Sequence, residues 1–125
     1  MSLMIALLLQ TATTAASVPL PGVWAMGETA NCASGEAWVF TADGYYVELT
    51  LPDGAIDAVG VWADKGNAID YTHAHAPFSD LGSPQQRRTF RITSRSNDRI
   101  KALNYKNERR VLHRCPAGAI KPHAK

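Results

Sequence analysis

The sequence predicts one small all-β domain, an antiparallel up-and-down barrel of about eight short strands held by one disulfide. Three observations lead to this fold class. Short runs of β-branched and aromatic residues recur about every ten residues, with turn residues between them, as in a sandwich or barrel. Asp-Gly pairs at several of these reversals are strong hairpin signals. The two cysteines lie near the two ends of the predicted domain.

Length and composition are consistent with a single core. A chain of 125 residues suits one domain. Its hydrophobic content of 46% and charged content of 19% supply enough apolar material to pack, which excludes a disordered chain. We therefore expect residues 17–125 to form one domain.

Charge is distributed unevenly along the chain, although the formal net charge is only +2. Before Arg87 there are one basic and nine acidic residues, whereas from Arg87 onward there are twelve basic and two acidic residues. Sequence neighbours are spatial neighbours in a meander, so we expect the two halves of the barrel wall to carry opposite charge.

The N-terminal segment is typical of a signal peptide. Residues 1–10 are nearly all apolar and lead into small residues, which predicts a signal peptide over 1–16 with cleavage near Ala15 or Ala16. The apolar run is shorter than the roughly 20 residues of a spanning helix, so no stable membrane span is expected. No basic residue precedes Lys65. The alternative is therefore an apolar segment that packs on the domain, but a periplasmic or secreted location is favoured.

The strand assignment follows from the alternating runs and the turns between them. The strongest turns are Asp43-Gly44, Asp53-Gly54 and Lys65-Gly66, because Gly, and to a lesser extent Asp, tolerate positive φ. Weaker turn signals occur at 97–98 and 107–108. The predicted strands are residues 23–28, 37–42, 45–51, 55–63, 68–75, 88–95, 99–106 and 109–115.

Two-residue turns fix the register, and the resulting pairs agree on one inner face. Phe40 is expected opposite Val47, and Trp62 opposite Ile69. Continued through every hairpin, the register predicts the following inner face: Trp38, Phe40, Val47, Leu49, Leu51, Ile56, Trp62, Ile69, Tyr71, Phe90, Ile92, Leu103, Tyr105 and Leu112.

Cys32 and Cys115 are expected to form a disulfide in an oxidising compartment. Closing a loop of about 80 residues stabilises the fold by about 4 kcal/mol in the chain-entropy treatment. Two buried free thiols are the alternative. The sequence lacks the C-x-x-C spacing of zinc and thioredoxin-type sites, and it predicts no metal site and no cofactor.

The residues Gly22-Val23-Trp24 and Arg114 resemble the lipocalin (calycin) pattern. In that family an arginine of the last strand covers the tryptophan ring of the first, which implies structural roles for Trp24 and Arg114 and a cation–π contact between them. A fainter resemblance is to bacterial periplasmic protease inhibitors, which share a compact eight-stranded barrel, a leader and one disulfide. The resemblance covers roughly 22–115, in a domain shorter than typical lipocalins, and implies a fold more than an activity.

A ligand site is predicted at one mouth of the barrel. Ala58 and Gly60 are small residues on a bulky inner face, and an eight-stranded barrel is either filled by side chains or holds one small ligand. The alternative is that the tryptophans fill that space. The residues predicted to bind a small, partly apolar ligand are Trp38, Trp62, Tyr71, His73, His75 and Tyr105.

Two further features bear on function. His73 and His75 alternate on one side of a strand near Asp80, a pattern that transition metals use with a third ligand; two polar mouth residues are the favoured interpretation. Arg87, Arg91 and Arg95 form a basic strand face for which a solvated surface is favoured over a protein contact. Aromatic residues do not interleave with that face, so no nucleic-acid partner is expected.

The sequence therefore predicts a non-enzymatic, exported binding module with a small ligand at the barrel mouth. It shows no nucleophile elbow, recurring carboxylate pair or phosphate-binding glycine motif. The alternative is a protein-interaction domain, such as an inhibitor of a periplasmic or secreted enzyme. That domain would use the loop at 76–86 or the basic strand face.

Overall fold

Eight antiparallel strands follow one another around a closed barrel, and the last pairs with the first. The computed structural model describes residues 19–29, 31–75 and 86–121. It confirms the all-β class and the up-and-down strand order. The strands are β1 Gly22–Met26, β2 Gly35–Phe40, β3 Tyr45–Leu51, β4 Ala55–Asp64, β5 Ala68–His75, β6 Gln86–Arg95, β7 Arg99–Leu103 and β8 Arg109–Cys115.

The barrel interior is a core of large side chains that alternate along the strands. Neighbouring rings contact one another, for example Trp38 and Phe90 with centroids 4.8 Å apart, and Phe40 and Trp62 at 5.0 Å. The buried members of this inner core are Leu20, Trp24, Trp38, Phe40, Tyr46, Ile69, Tyr71, Phe90, Ile100, Ala102 and Leu112.

A second, smaller core lies on the outer face of β1, β2 and β3. Leu49 and Leu51 pack there together with Cys115 and Ala119. The chain after β8 forms a short 3-10 turn, Ala117–Ala119, and reaches the β3–β4 connection, where the Lys121 amide donates to the Pro52 carbonyl. Residues 116–121 therefore pack back onto the barrel wall.

The predicted orientation of β3 is wrong, because the Asp43-Gly44 reversal is longer than two residues. Phe40 pairs with Tyr46 rather than Val47, and Gly44 adopts φ +97°. A shift of one residue turns every side chain of a strand to the other face. Val47, Leu49 and Leu51 therefore join the outer core, while Tyr46 and Glu48 point inward.

Other register errors have milder effects. Trp62 pairs with Tyr71 instead of Ile69, a shift of two residues that leaves both rings inside. An irregularity in the β3–β4 ladder places Ile56 opposite Leu49, on the outer face, where it is 50% exposed.

The predicted inward positions of Leu103 and Tyr105 are also wrong. A bulge between Ile92 and Ser94 brings Ile92 opposite Ala102, so Ile100 and Ala102 are the buried residues of β7. The strand ends at Leu103, and Tyr105 lies in the following turn, 48% exposed.

The Cys32–Cys115 disulfide is confirmed, with Cα atoms 5.7 Å apart and a sequence separation of 83. It joins the β1–β2 connection to the end of β8. Both sulfurs belong to the outer core, so the bridge fixes the layer that covers β1 to β3.

One end of the barrel is closed by Arg114 and the residues that precede β1. The Arg114 guanidinium lies 4.3 Å from the Trp24 ring, which is the contact that the lipocalin resemblance implies. It also donates to the carbonyls of Pro19, Pro21 and Asn97. Trp24 Nε1 donates to the carbonyl of Leu20 at 2.8 Å, and Leu20 is fully buried. Any ligand in the barrel therefore enters from the opposite end.

Candidate functional site

The open end of the barrel holds a hollow of about 340 Å³, which we call the mouth cup. It lies where β1, β3, β5 and β7 end and where the even-numbered strands begin. Side chains that point inward at this end form its walls, and the inner core forms its floor. Its lining residues are Met26, Glu36, Trp38, Glu48, Tyr71, His73, Arg88, Phe90, Asn104, Tyr105, Lys106, Glu108 and Arg110.

The floor of the mouth cup is a packed group of aromatic rings. The Trp38 ring lies 4.8 Å from Phe90 and 5.2 Å from Tyr71, measured between centroids. Tyr71 stacks on Tyr46 at 5.1 Å, with 13° between the ring planes. Because these rings support one another, the floor is rigid and the cup is shallow. Below it the interior is filled, as the alternative interpretation of the tryptophans predicts.

One wall of the mouth cup is acidic and comes from β2 and β3. Trp38 Nε1 donates to Glu36 Oε2 at 2.8 Å, and the Tyr46 hydroxyl donates to Glu48 Oε2 at 2.5 Å. Burial, together with the Glu48 carboxylate, raises the pKa of Tyr46 well above its ordinary value, so this donor keeps its proton. His73 Nδ1 on β5 lies 3.9 Å from Glu48 Oε2. The two carboxylates are thus held in place.

The other wall is basic and comes from β6, β8 and the turn between β7 and β8. The Arg88 guanidinium lies 4.1 Å from the Tyr105 ring centroid, and the Lys106 ammonium lies 5.6 Å from it. Arg110 forms an ion pair with Glu108, with Nη2 and Oε1 2.7 Å apart. Arg88 and Lys106 therefore carry the positive charge of this wall toward the hollow.

A hydrogen bond shifts the pKa of Glu108 at the cup, and burial shifts the pKa of Tyr71. Asn104 donates to the Glu108 carboxylate, and this bond, assisted by Arg110, lowers the pKa of Glu108. Burial raises the pKa of Tyr71 to about 12, although Arg88 acts in the opposite direction. At neutral pH Glu108 is ionised and Tyr71 is a neutral donor.

The acidic and basic walls face each other. In a closed barrel of eight strands, β2 and β6 are four positions apart in either direction and so lie on opposite sides. Glu36 on β2 therefore faces Arg88 on β6 across the cup. The uneven distribution of charge along the sequence becomes a charge separation across one hollow, because the acidic half of the chain forms one side of the barrel.

Four of the six predicted ligand-binding residues meet in the mouth cup: Trp38, Tyr71, His73 and Tyr105. Trp62 does not, because it lies toward the closed end, where Nε1 donates to the carbonyl of Thr41 at 3.0 Å. The backbone of His75 pairs with that of Ala58, and its side chain lies outside the described structure.

The charged cup residues Glu36, Glu48, Arg88 and Arg110 were not predicted as site residues. For three of them parity carried the signal: Glu36 is two residues from Trp38, Arg88 two from Phe90 and Arg110 two from Leu112, all on inward positions. Glu48 had the opposite parity in the predicted register of β3. Charged residues at the ends of strands are ordinarily interpreted as solvated surface, and for that reason these residues were not assigned to the site.

Gly60 has a different role from the one predicted. A Cβ at this position would lie 2.0 Å from the Thr72 carbonyl oxygen, so the glycine allows β4 and β5 to approach closely. Tyr46 pairs across from Gly60, and its ring is fully buried in the inner core. The small residue therefore leaves no hollow beneath the aromatic rings.

The basic strand face is partly neutralised. Arg95 Nη2 lies 2.7 Å from Asp64 Oδ2, and the Arg95 side chain is only 11% exposed. This pairing lowers the pKa of Asp64. Arg91 donates to Asn107, and Arg87 lies beside a hollow of about 200 Å³ along β4 and β5. Since residues 76–85 of the loop predicted at 76–86 lie outside the described structure, the protein-interaction alternative stays a prediction.

A third hollow, of about 430 Å³, lies between Cys32, Pro52 and the segment after β8. Lys121 is the one ionisable group among its lining residues, so few groups are available to orient a ligand. The mouth cup, where aromatic and ionisable groups converge, is therefore the candidate site.

The described part of the chain contains no group of three His, Cys, Asp or Glu side chains placed to hold a metal ion. Asp80, the third ligand considered for His73 and His75, lies outside that part. Within the same ranges no helix has the length and apolar character needed to cross a membrane. No protein-family model matches the chain, and no curated protein or solved structure matches it either.

Proposed function

We propose that this protein is a non-enzymatic binding module whose mouth cup holds one small molecule with a flat apolar part. The observation that carries the proposal is the cup itself, a hollow of about 340 Å³ with an aromatic floor and polar walls. Ligand sites are typically about 300–1,000 Å³, lined by aromatic side chains with a few converging polar groups. The cup is at the lower end of that range, so its ligand is small.

The groups of the cup suit binding better than catalysis. Burial raises the pKa of Tyr71, which lines the cup, so at neutral pH its hydroxyl is a donor rather than a base. The Tyr46 hydroxyl, buried beneath the floor, donates to Glu48 and also stays protonated. The exposed ring of Tyr105 stands at the rim with Arg88 against it. We infer that this pair forms the side of the cup against which the ligand rests.

We further infer that the barrel is lipocalin-like and exported. The lipocalin assignment is supported by Gly22-Val23-Trp24 on the first strand and by Arg114 over the Trp24 ring. Export to the periplasm or beyond is supported by the Cys32–Cys115 disulfide, since such bridges persist in oxidising compartments. The signal peptide at 1–16 lies outside the described residues and stays a prediction.

The three tryptophans provide a direct test of the site. Only Trp38 lies at the cup, while Trp24 and Trp62 donate their indole protons to Leu20 and Thr41 toward the closed end. The indole N–H signals are followed by NMR during titration with L-phenylalanine, its methyl ester, N-acetyl-L-phenylalanine and the neutral N-acetyl amide. Signals are assigned with Trp38→Phe and Trp62→Phe.

The proposal predicts a saturable shift of the Trp38 signal with at least one compound, while the Trp24 and Trp62 signals stay in place. It is wrong if no compound of the panel moves the Trp38 signal. Equal movement of all three signals would also refute it, because that result indicates a general change of the barrel.

A further inference from the structure

We propose that the mouth cup selects zwitterions, small molecules that carry a protonated amine at one end and a carboxylate at the other. The inference rests on the proposed function, and it names the chemical class of the ligand. Its basis is the placement of carboxylates and cations on opposite sides of one small hollow.

The first step is the charge that each wall offers to a ligand. The hollow is lined by three carboxylates and three permanent cations. Glu108 and Arg110 pair with each other at 2.7 Å. Glu36 lies on one side of the hollow, together with Glu48, which is 3.9 Å from His73 Nδ1, and Arg88 and Lys106 lie on the other. A ligand that spans the cup therefore meets negative charge at one end and positive charge at the other.

The second step is that the acidic wall is organised before a ligand arrives. One oxygen of Glu36 accepts from Trp38 Nε1, and one oxygen of Glu48 accepts from the Tyr46 hydroxyl. Both donors are uncharged, so these bonds hold the carboxylates without bringing a positive charge to them. The Glu48 side chain is only 18% exposed, so its field is less screened than that of a surface carboxylate. An ammonium group suits this wall.

The third step concerns the opposite side. The Arg88 guanidinium lies over the Tyr105 ring, 4.1 Å from its centroid, and donates to the Gln86 side chain. A guanidinium presents a planar fork of donors that matches a carboxylate. Because Arg88 and Trp38 line the same hollow, a carboxylate bound to Arg88 keeps the apolar part of its ligand near Trp38.

The fourth step is the cost of the wrong ligand. A neutral molecule in the cup would displace water from both charged walls without supplying an opposite charge to either, which is unfavourable. A ligand with one charge would satisfy one wall only. Hydrogen bonds to charged groups are worth enough that removing either ligand charge should weaken binding at least about tenfold.

The compound panel tests this directly, because its members differ in charge on a shared ring. Below pH 6, L-phenylalanine is a zwitterion, the methyl ester is a cation, the N-acetyl compound is an anion and the N-acetyl amide is neutral. Dissociation constants are measured from the Trp38 indole signal. We expect L-phenylalanine to bind at least about tenfold more tightly than each of the other three.

Variants identify which wall of the mouth cup binds each charged group of the ligand. Glu36→Gln keeps an acceptor for Trp38 Nε1, and we expect it to weaken L-phenylalanine about tenfold while N-acetyl-L-phenylalanine is unchanged. Arg88→Gln should do the reverse, weakening the zwitterion while sparing the methyl ester, and Arg88→Lys should restore part of the affinity. The matched controls are Glu28→Gln and Arg109→Gln, which remove an exposed ion pair outside the cup and should change nothing.

The outcomes separate this inference from the proposed function. If the four compounds bind equally, or if the neutral compound binds best, zwitterion selection is refuted while a ligand site at the cup remains. If Glu36→Gln and Arg88→Gln weaken the binding of all four compounds alike, the claim that each wall binds one charged group of the ligand is refuted. If no compound moves the Trp38 signal, the proposed function fails as well.

Discussion

Removing Arg114 tests whether one side chain closes the barrel end opposite the mouth cup. Its guanidinium covers the Trp24 ring at 4.3 Å and donates to three backbone carbonyls of the closed end. A partly buried cation–π contact contributes about 1 kcal/mol. The part-buried bond to the Pro21 carbonyl, 3.0 Å long, adds about 1.5 kcal/mol as a charge-assisted bond. The bonds to Pro19 and Asn97 are more exposed and add little.

Arg114→Met should therefore lower the free energy of unfolding by about 2.5 kcal/mol. Arg114→Lys keeps the charge but loses the fork, so about half of that loss is expected. Urea unfolding followed by tryptophan fluorescence measures both values. Hydrogen exchange of the indole protons supplies a local readout, in which Trp24 should exchange faster while Trp38 stays protected.

Arg99→Met is the matched control, because Arg99 is an exposed arginine at the closed-end start of the neighbouring strand β7. Exposed substitutions of this kind usually change stability by less than about 0.5 kcal/mol. The reasoning is refuted if Arg114→Met behaves like this control. It is also refuted if Arg114→Met accelerates exchange at Trp38 as much as at Trp24, since the effect would then not be local to the closed end.

Three further predictions follow from the packing. Replacing both cysteines with alanine should reduce stability by about 4.5 kcal/mol for a separation of 83 residues, as measured by urea unfolding, and a loss below about 1 kcal/mol would contradict the entropic argument. Gly60→Ala should cost about 3 kcal/mol because its Cβ meets the Thr72 carbonyl, whereas Gly66→Ala, which has open space but positive φ, should cost about 1 kcal/mol. Asp64→Asn should lose about 1 kcal/mol at pH 7. Arg95 lowers the pKa of Asp64 in the folded state, so this stabilisation is present above the unfolded pKa of 3.8 and is lost as pH falls through the folded pKa. The difference in unfolding free energy between wild type and Asp64→Asn should therefore disappear in acid. A difference that does not change with pH would contradict the pairing.

The strands were predictable because their ends are marked by turn residues and their interiors by alternation. Residues 45–51, 68–75 and 109–115 are strands in the structure over the same bounds as predicted. The Cys32–Cys115 pairing was predictable from position, since the two cysteines bracket the domain.

The orientation of β3 was not predictable from the sequence, because both of its faces are buried. Val47, Leu49 and Leu51 are apolar because they pack beneath the segment after β8; they do not line the barrel interior. Tyr46 belongs to the inner core although its neighbours resemble a solvent-facing row. Only the length of the reversal at Gly44 decides between the two orientations, and Asp-Gly favours a shorter turn than the one present.

The position of the candidate site was predictable from the sequence, but the charged groups that line it were not. Trp38 and Tyr71 were expected at the mouth on parity alone, and both line the cup. Its charged walls depend on the closure of the barrel, which brings β2 opposite β6, and on the turn at Asn104, which ends β7 early. Neither can be derived from alternation within one strand.

Intermolecular NOEs between bound L-phenylalanine and the protein test the central claim most directly. The account predicts contacts from the ligand ring to the Trp38 indole and the Met26 methyl, which meet at the cup. Contacts instead to Val61 and Ala63, which line the hollow along β4 and β5, would contradict it.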